Sequence, residues 1–301
     1  MLSRKQRIFL LKALSLFSIV RGYNILIIIL AQYLAAIYIL APDRPLRQVV
    51  LDGNLFVIVL CSAMVIAGGY IINNFYDSEK DLINKPRKTM LDRLVSQRVK
   101  IYSYFILNFL AVLLGAYVSF RAALFFAAYI FGIWLYSHRL KKIAFVGNFV
   151  SATLAIAPFF AVFVYYKNFE TVIFVHALFL FLLILSRELI KDMENLAGDL
   201  AQDYRTIAVR YGTVASKRYI SLLVLLTFIP SFLLIRYFDV GYMYLYFIAC
   251  SLLLLLFLVL LWGANSKKHY VWLHNILKFI IVSGVFGILL IDVDLVLNRI
   301  L

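Results

Sequence analysis

Three oxygen-bearing side chains recur every four residues near the end of an apolar segment. Asn73, Asp77 and Asp81 lie at and just after the end of the apolar segment at about 54–75 and are spaced i, i+4, i+8. On a helix these side chains drift by only about 80° and span about 12 Å, so they would form one stripe at a membrane edge. We call these three residues the first motif.

A second group of carboxylates follows a later apolar segment. Asp192, Asp199 and Asp203 are spaced i, i+7, i+11. On a continuous helix they would fall within about 40° of one another, although Gly198 is a point where such a helix could be interrupted. We call these three residues the second motif.

The composition of both motifs favours a magnesium site. Two acidic stripes on one side of a bundle repel each other unless cations lie between them, and oxygen ligands without a nearby His or Cys favour Mg²⁺. Basic residues flank the motifs: Lys85, Arg87 and Lys88 after the first, and Arg205 after the second. Carboxylates, Mg²⁺ and Lys or Arg together bind a diphosphate and neutralise its departing charge. One such cluster alone could be solvated helix-end charge, but two matched clusters argue against that interpretation.

The elements that position these residues must be membrane spans. Of the 301 residues, 64% are apolar and 15% are charged, and the mean hydropathy is +0.94. This composition excludes a soluble globular protein, a disordered chain and a disulfide scaffold. We predict an all-α, single-domain protein (residues 1–301) with nine transmembrane helices at about 22–41, 54–75, 100–120, 122–137, 143–166, 170–190, 216–236, 241–263 and 274–297.

The distribution of basic residues predicts the orientation of these spans. Twenty-three Lys and Arg residues lie in the N-terminal segment and the loops on its side of the membrane, against six on the other side. The positive-inside rule then places the N-terminus and both motif loops in the cytoplasm and the C-terminus outside. The net charge of +15 is explained by this bias rather than by nucleic-acid binding. No small-residue cleavage site follows the basic N-terminus, so we expect a retained first helix.

With these motifs, the chain resembles the UbiA superfamily of intramembrane prenyltransferases. Members carry N-x-x-x-D-x-x-x-D after the second helix and commonly D-x-x-x-D after the sixth, where this chain has its first motif and the pair Asp199 and Asp203. Supporting matches are Arg21-Gly22-Tyr23-Asn24, Tyr136-Ser137, Leu140-Lys141-Lys142, Gly147-Asn148, Gly198-Asp199 and Arg205-Thr206-Ile207. The resemblance covers nearly the whole chain.

The resemblance implies a mechanism and a set of site residues. Two Mg²⁺ ions would join the two motifs, with Asn73 and Asp192 as further ligands, to the diphosphate of a polyprenyl donor. The residues implied as catalytic are Asp77, Asp81, Asp199 and Asp203, and those implied to grip the diphosphate are Asn73, Lys85, Arg87, Lys88 and Arg205. Ionisation would leave an allylic cation that a nucleophilic acceptor captures, while the apolar tail lies in a channel among the helices.

The acceptor is the open part of this prediction. The runs Asp81–Arg87 and Arg187–Asp192 look like the branch that alkylates geranylgeranylglyceryl phosphate, although that branch usually has an aspartate where this chain has Asn195. The resemblance suggests Arg21 and Asn24 at the acceptor end, and an Arg21 that snorkels to the interface is the alternative. An aromatic acceptor of the 4-hydroxybenzoate or dihydroxynaphthoate type is the second candidate. A cation-coupled transporter is the third, and the position of the charges at helix ends disfavours it.

Overall fold

The computed structural model describes residues 4–293, and these residues form helices joined by short turns. The α-helices are α1 (Arg4–Ile19), α2 (Gly22–Ala35), α3 (Leu46–Val50), α4 (Gly53–Tyr76), α5 (Ser78–Asn84), α6 (Pro86–Asp92), α7 (Gln97–Val118), α8 (Phe120–His138), α9 (Val146–Tyr166), α10 (Thr171–Glu194), α11 (Leu196–Ala201), α12 (Ile207–Tyr237), α13 (Tyr244–Gly263) and α14 (Lys267–Gly287). A π-helical turn, Ala36–Leu40, extends α2, and 3₁₀ turns occupy Leu140–Lys142, Gly241–Met243 and Ile288–Leu290.

Nine helices in the described part of the chain are long and apolar enough to cross a membrane, which confirms the predicted fold class. The starts of the seventh and ninth spans differ most from the prediction. The seventh span lies in α12, which begins at Ile207 but is interrupted at Gly212 (φ 80°, ψ 173°). The ninth spans Lys267–Leu290 rather than 274–297, because Ser266 caps α14 and starts the helix earlier. The end predicted at 297 lies outside the described residues.

The two motif-bearing helices are the most buried spans of the bundle. In the apolar windows of α4 and α10, 67% and 61% of the residues are buried. One hydrophobic cluster surrounds α10 with α12, α13 and α14, and another surrounds α4 with α2, α8 and α9. Each motif is therefore anchored on a rigid central helix.

The two loops that follow these helices bind each other. The side chain of Asn84, at the end of α5, accepts a hydrogen bond of 3.2 Å from the backbone N–H of Gly198 in α11. A Cβ atom at Gly198 would lie 2.3 Å from Nδ2 of Asn84, so the contact requires glycine. The turn after α8 joins the second loop through a backbone bridge between Ile143 and Arg205.

A proline lies within α9 where that helix lines the interior. Pro158 has no N–H to donate, so the carbonyl of Leu154 loses its helical partner. The hydroxyl of Tyr129 on α8 donates to that carbonyl at 3.0 Å. From α2, Nε2 of Gln32 donates to the carbonyl of Pro158 at 2.8 Å. Side chains from two neighbouring helices therefore bind the backbone of α9 around its proline.

The helix α1 precedes the first span and lies beside α6. The hydroxyl of Ser15 donates to the carbonyl of Leu91 at 2.9 Å. Leu14 and Phe17 are 61% and 52% exposed, while Lys12 is exposed on the same short helix. Apolar surface next to basic charge is typical of a helix that lies in the membrane interface.

Candidate active site

The first motif is not on one unbroken helix, as the spacing had predicted. The backbone leaves helical geometry at Asp77 (φ −93°, ψ 5°), between α4 and α5. Hydrogen bonds from Asp77 N to Asn73 O (2.9 Å) and from Asp81 N to Asp77 O (2.8 Å) still bridge the break. The stripe therefore bends at its central aspartate.

Asp77 is held by two residues that are distant in the chain. The Lys141 ammonium lies 2.7 Å from Oδ1 of Asp77 and donates at 3.1 Å to Oδ1 of Asn73. The hydroxyl of Tyr204 donates at 2.9 Å to Oδ1 of Asp77. The turn after α8 and the loop after α11 therefore converge on the first motif.

Burial and charge act in opposite directions on the pair formed by Asp77 and Lys141. Burial acts to raise the pKa of Asp77, but the nearby charges of Lys141 and Lys80 outweigh it and lower that pKa. Burial lowers the pKa of Lys141, although the Asp77 carboxylate opposes the effect. The two lysines therefore stabilise the charged form of Asp77.

Asp199 of the second motif is neutralised by a lysine that belongs to the first. The Lys80 ammonium lies 2.7 Å from Oδ1 of Asp199, which is completely buried. The same ammonium lies 4.3 Å from the centre of the Tyr204 ring. Burial raises the pKa of Asp199, and Lys80 opposes that shift. Lysine ammonium groups thus contact a carboxylate in each of the two acidic motifs.

Asp81 is the most solvated carboxylate of the first motif. It is half-buried, whereas Asp77 is 6% exposed. Burial and then the neighbouring Asp77 charge raise the pKa of Asp81, and Lys85 and Lys80 oppose that shift.

The second motif is divided between three pieces of backbone, so its residues do not share the continuous helix on which they would have formed one stripe. The break falls at Asn195 (φ −100°, ψ 11°) rather than at Gly198. A further turn ends α11 at Asp203, which has a left-handed φ of 53°, and Tyr204 N donates to Asp199 O at 2.9 Å. This is the hydrogen bond of a Schellman cap. Asp203 is exposed, and its side chain leaves the stripe of Asp192 and Asp199 because the turn redirects it.

Asp192 remains on α10 and faces α9. Nδ2 of Asn148 donates to Oδ2 of Asp192 at 2.7 Å. Asn148 is 6% exposed and Asp192 is half-buried. The start of α9 therefore orients the first carboxylate of the second motif.

Further ion pairs at this end of the bundle join elements that are remote in sequence. Glu194 lies 3.4 Å from Lys85 of the first loop and 3.2 Å from His274 of α14. Glu188 accepts a hydrogen bond of 2.8 Å from Lys191, one turn along α10. Burial lowers the pKa of Lys85, and the Glu194 carboxylate opposes that shift.

The cations predicted to grip a diphosphate are divided by the fold. Lys85 contacts Glu194, next to the second motif. Lys88 lies 3.8 Å from Asp92, and Arg87 and Arg205 are exposed. The structure thus brings Lys85 to the junction of the motifs and leaves the other three at the rim.

The chemistry of the remaining donor atoms fits a divalent metal. Oδ1 of Asn195 and Oδ2 of Asp199 are buried, and neither has a hydrogen-bond partner among the described residues. An unpaired buried oxygen is costly, so both atoms are suited to a bound cation. Oxygen atoms of this kind are the ligands that Mg²⁺ prefers. Within residues 4–293 no group of three or more His, Cys, Asp or Glu side chains is arranged to hold a metal ion, so these two oxygen atoms are candidate ligands and not a formed metal site.

An apolar cavity of about 430 Å³ begins beside the motifs and runs between the helices. Its polar end is lined by Asn73 of the first motif and by Glu188 and Lys191, which precede the second. Its walls are apolar side chains such as Ile133 and Leu183. Such a cavity can bury the hydrocarbon part of a ligand whose polar end lies at the motifs.

Arg21 and Asn24 line the same cavity at the start of the first span. The Arg21 guanidinium lies 5.1 Å from the centre of the Tyr70 ring, and Nδ2 of Asn24 lies 3.4 Å from the Tyr70 hydroxyl. Arg21 has a left-handed φ of 50° and is half-buried, so it faces the interior instead of snorkelling to the interface.

Four residues of this site were not selected from the sequence as site residues. Lys80, Lys141, Tyr204 and Asn148 each contact a motif carboxylate or a lysine bound to one. Lys141 and Asn148 lie in segments that had been noted only as supporting matches. The sequence signal that could have identified them is their position in or next to a polar turn on the same side of the membrane as the motifs.

The family model for the UbiA prenyltransferase family matches residues 26–283 of the chain. Curated relatives of similar sequence are digeranylgeranylglyceryl phosphate synthases. That of Methanosphaera stadtmanae is 29% identical over 220 residues, which are 73% of this chain and 80% of the relative. That of Metallosphaera sedula is 35% identical over 183 residues, which are 59% and 63% of the two chains.

Two solved structures have the same fold. A structure of digeranylgeranylglyceryl phosphate synthase aligns with a TM-score of 0.70 and 22% identity, covering 93% of this chain and 98% of the other. A UbiA homologue from Archaeoglobus fulgidus, bound to GPP and Mg²⁺, aligns with a TM-score of 0.66 and 14% identity, covering 91% and 99%. At these identities the likeness establishes the architecture.

Proposed function

Because the chain belongs to the UbiA prenyltransferase family, we propose that it transfers the prenyl group of geranylgeranyl diphosphate to geranylgeranylglyceryl phosphate in a Mg²⁺-dependent reaction. Family membership makes the protein an integral membrane prenyltransferase and sets aside the transporter alternative. The observation that carries the proposal is one apolar cavity whose polar end is lined by Asn73 of the first motif and by Glu188 and Lys191, which precede the second.

The donor has an apolar hydrocarbon chain and a charged diphosphate, and the cavity has an apolar interior and a polar end to match them. Its hydrocarbon chain would lie between the apolar walls. Its diphosphate would lie where Lys80 and Lys141 contact the motif carboxylates and Lys85 contacts the neighbouring Glu194. Bound Mg²⁺, held by Asn73, Asp77, Asp81, Asp192, Asp199 and Asp203, would supply the charge that neutralises the leaving diphosphate. The UbiA homologue bound to GPP and Mg²⁺ supports both donor class and metal.

The reaction breaks the bond between C1 of the donor and its diphosphate oxygen and forms an ether bond from C1 to a glyceryl hydroxyl oxygen. The hydroxyl proton leaves with the diphosphate. The lysines bind and orient the diphosphate, and the apolar walls exclude water that would otherwise trap the allylic cation.

A phosphorylated acceptor is supported by the basic residues of the cavity. Arg21 from α2 and Lys278 from α14 both line it. Lys278 lies 4.7 Å from the Tyr23 ring, and Arg21 contacts Tyr70. Contact with a ring does not neutralise a cation, so both charges can bind an acceptor phosphate. The curated relatives named digeranylgeranylglyceryl phosphate synthase favour the same acceptor.

In the test, the protein is purified in detergent and incubated with Mg²⁺, geranylgeranyl diphosphate and three acceptors at once. The acceptors are geranylgeranylglyceryl phosphate, 4-hydroxybenzoate and dihydroxynaphthoate. Mass spectrometry should find the ether-linked phosphate lipid, and EDTA in place of Mg²⁺ should abolish it. An alkylated aromatic product would refute the acceptor assignment and move the enzyme to quinone biosynthesis. Intact donor with every acceptor would refute the proposed reaction.

A further inference from the structure

Lys80 has a position that the motif itself does not require. It lies three residues after Asp77 and one before Asp81, yet its ammonium reaches across to the second motif. The distance from Nζ of Lys80 to Oδ1 of Asp199 is 2.7 Å, and the Lys80 side chain is 14% exposed. The Tyr204 ring covers the ammonium at 4.3 Å. The ion pair is thus nearly closed to solvent.

This ion pair neutralises a carboxylate that could not be buried alone. Asp199 is completely buried, and an unpaired charge in such a place is strongly unfavourable. A divalent cation bound to Oδ1 would supply the same neutralisation. Two cations held by one carboxylate repel each other at short distance, so the ammonium on Oδ1 disfavours a metal ion on Asp199 and the two compete.

The lysine has an alternative partner when a donor arrives. Its ammonium ends a flexible four-carbon stem, and a diphosphate is a strong acceptor for such a group. The free Oδ2 of Asp199 and the free Oδ1 of Asn195 are acceptors that a metal can use as the ammonium leaves. Exchange of Lys80 from Asp199 to the diphosphate would couple metal binding to donor binding.

We propose that Lys80 is an internal counter-cation that competes with the divalent metal for Asp199 and passes to the diphosphate when the donor binds. The proposal rests on the proposed function, since it assumes a metal-dependent prenyl diphosphate site. In this proposal Lys80 is a positioning residue. It weakens metal binding when no diphosphate is present and permits it when the diphosphate is bound.

The test measures Mn²⁺ binding by electron paramagnetic resonance, with the full chain in detergent. Lys80→Met keeps the approximate volume of the side chain and removes its charge. We expect this variant to bind Mn²⁺ at least tenfold more tightly than the wild type. Lys268→Met is the matched control, because Lys268 is exposed and its loss changes the net charge equally. The control should bind Mn²⁺ as the wild type does.

Inorganic pyrophosphate tests the exchange. It should raise the Mn²⁺ affinity of the wild type by a larger factor than that of Lys80→Met. If Lys80→Met does not fold, Lys80→Gln is judged by the same criterion, since its amide can still donate to Asp199. Equal or weaker Mn²⁺ binding in the folded variant would overturn the proposal.

The parallel product assay separates the two ideas. Suppose that the wild type makes the ether product but Lys80→Met binds Mn²⁺ no more tightly than the wild type. This result would refute the role of Lys80 and keep the proposed function. A wild type that makes no product and binds no Mn²⁺ would refute both.

Discussion

The hydroxyl of Tyr204 donates a hydrogen bond of 2.9 Å to the carboxylate of Asp77, across 127 residues of sequence. A residue that follows the second motif therefore fixes the central aspartate of the first. The same ring lies over the Lys80 ammonium, so Tyr204 contacts two charged groups: Asp77 through its hydroxyl and Lys80 through its ring. Tyr204, from the loop that follows the second motif, therefore contacts two residues in and beside the first motif.

Tyr204→Phe should lower the rate of product formation by about 10- to 100-fold, since hydrogen bonds to charged groups contribute about 1.5–3 kcal/mol. The ring that covers Lys80 is retained, so the protein should stay folded. Initial rates and thermal unfolding in detergent check both statements. A wild-type rate would show that the hydrogen bond is not needed to orient Asp77.

The motif aspartates should differ in importance according to their burial. Asp77→Asn and Asp199→Asn should each lose at least about 100-fold in rate, because each removes a buried charge at the diphosphate site. Asp203→Asn should lose less, because Asp203 is exposed and asparagine tolerates its left-handed backbone. Rates at saturating Mg²⁺ give the comparison, and equal losses at all three positions would contradict it.

Gly198→Ala should destabilise the protein by about 1–3 kcal/mol, because the added Cβ overpacks against Asn84 and displaces the hydrogen bond between the loops. Gly263→Ala is the matched control, since nothing lies within 4 Å of a Cβ there. Unfolding temperatures in detergent measure the difference.

The double variant of Gly198→Ala with Asn84→Ala makes this prediction sharper. Removing the Asn84 side chain leaves room for the new methyl group. The double variant should therefore lose less unfolding free energy than the sum of the losses in the two single variants. Full additivity would place the cost elsewhere.

The cavity should limit the length of the donor. Ala177 on α10 lines the cavity, so Ala177→Phe should lower the rate with geranylgeranyl diphosphate by about tenfold relative to geranyl diphosphate, since overpacking costs about 1–3 kcal/mol. Ala127→Phe places the same ring at an exposed position of α8. That control should leave the ratio of the two rates unchanged. An unchanged ratio in Ala177→Phe would exclude this cavity as the binding site of the donor tail.

The orientation predicted from the basic loops can be measured by labelling. In a variant without Cys61 and Cys250, a single cysteine at Met90 or at Leu51 reports one end of the bundle, since these side chains are 68% and 69% exposed. With a membrane-impermeant maleimide, intact cells should label only the cysteine at position 51, and lysed cells both. The reverse pattern would place the motif loops outside.

The sequence was sufficient for the spans and the motif positions, because both are local signals. A run of about 20 apolar residues is recognisable without knowledge of its neighbours, and the spacing of Asn73, Asp77 and Asp81 is visible directly. The bend at Asp77 was not predicted, since a change in two backbone angles leaves no clear trace in that spacing.

The lysines of the site could not be assigned from the sequence for a different reason. Lys141 binds Asp77 across 64 residues, and that contact depends on how α8 packs beside α4. Lys80 points to Asp199 only because the two loops dock through Asn84 and Gly198. Pairings of this kind follow from tertiary contacts, and basic residues near a membrane surface are too common to indicate them.

The contacts around Pro158 have a consequence for how the enzyme can change its substrate range. Tyr129 and Gln32 bind the carbonyls of Leu154 and Pro158, so α2, α8 and α9 are tied together at this place. Substitutions there disturb three helices at once, whereas the cavity-lining residues of α10 and α14 take no part in these two hydrogen bonds. Divergent relatives should therefore vary more at cavity positions of α10 and α14 than around the proline.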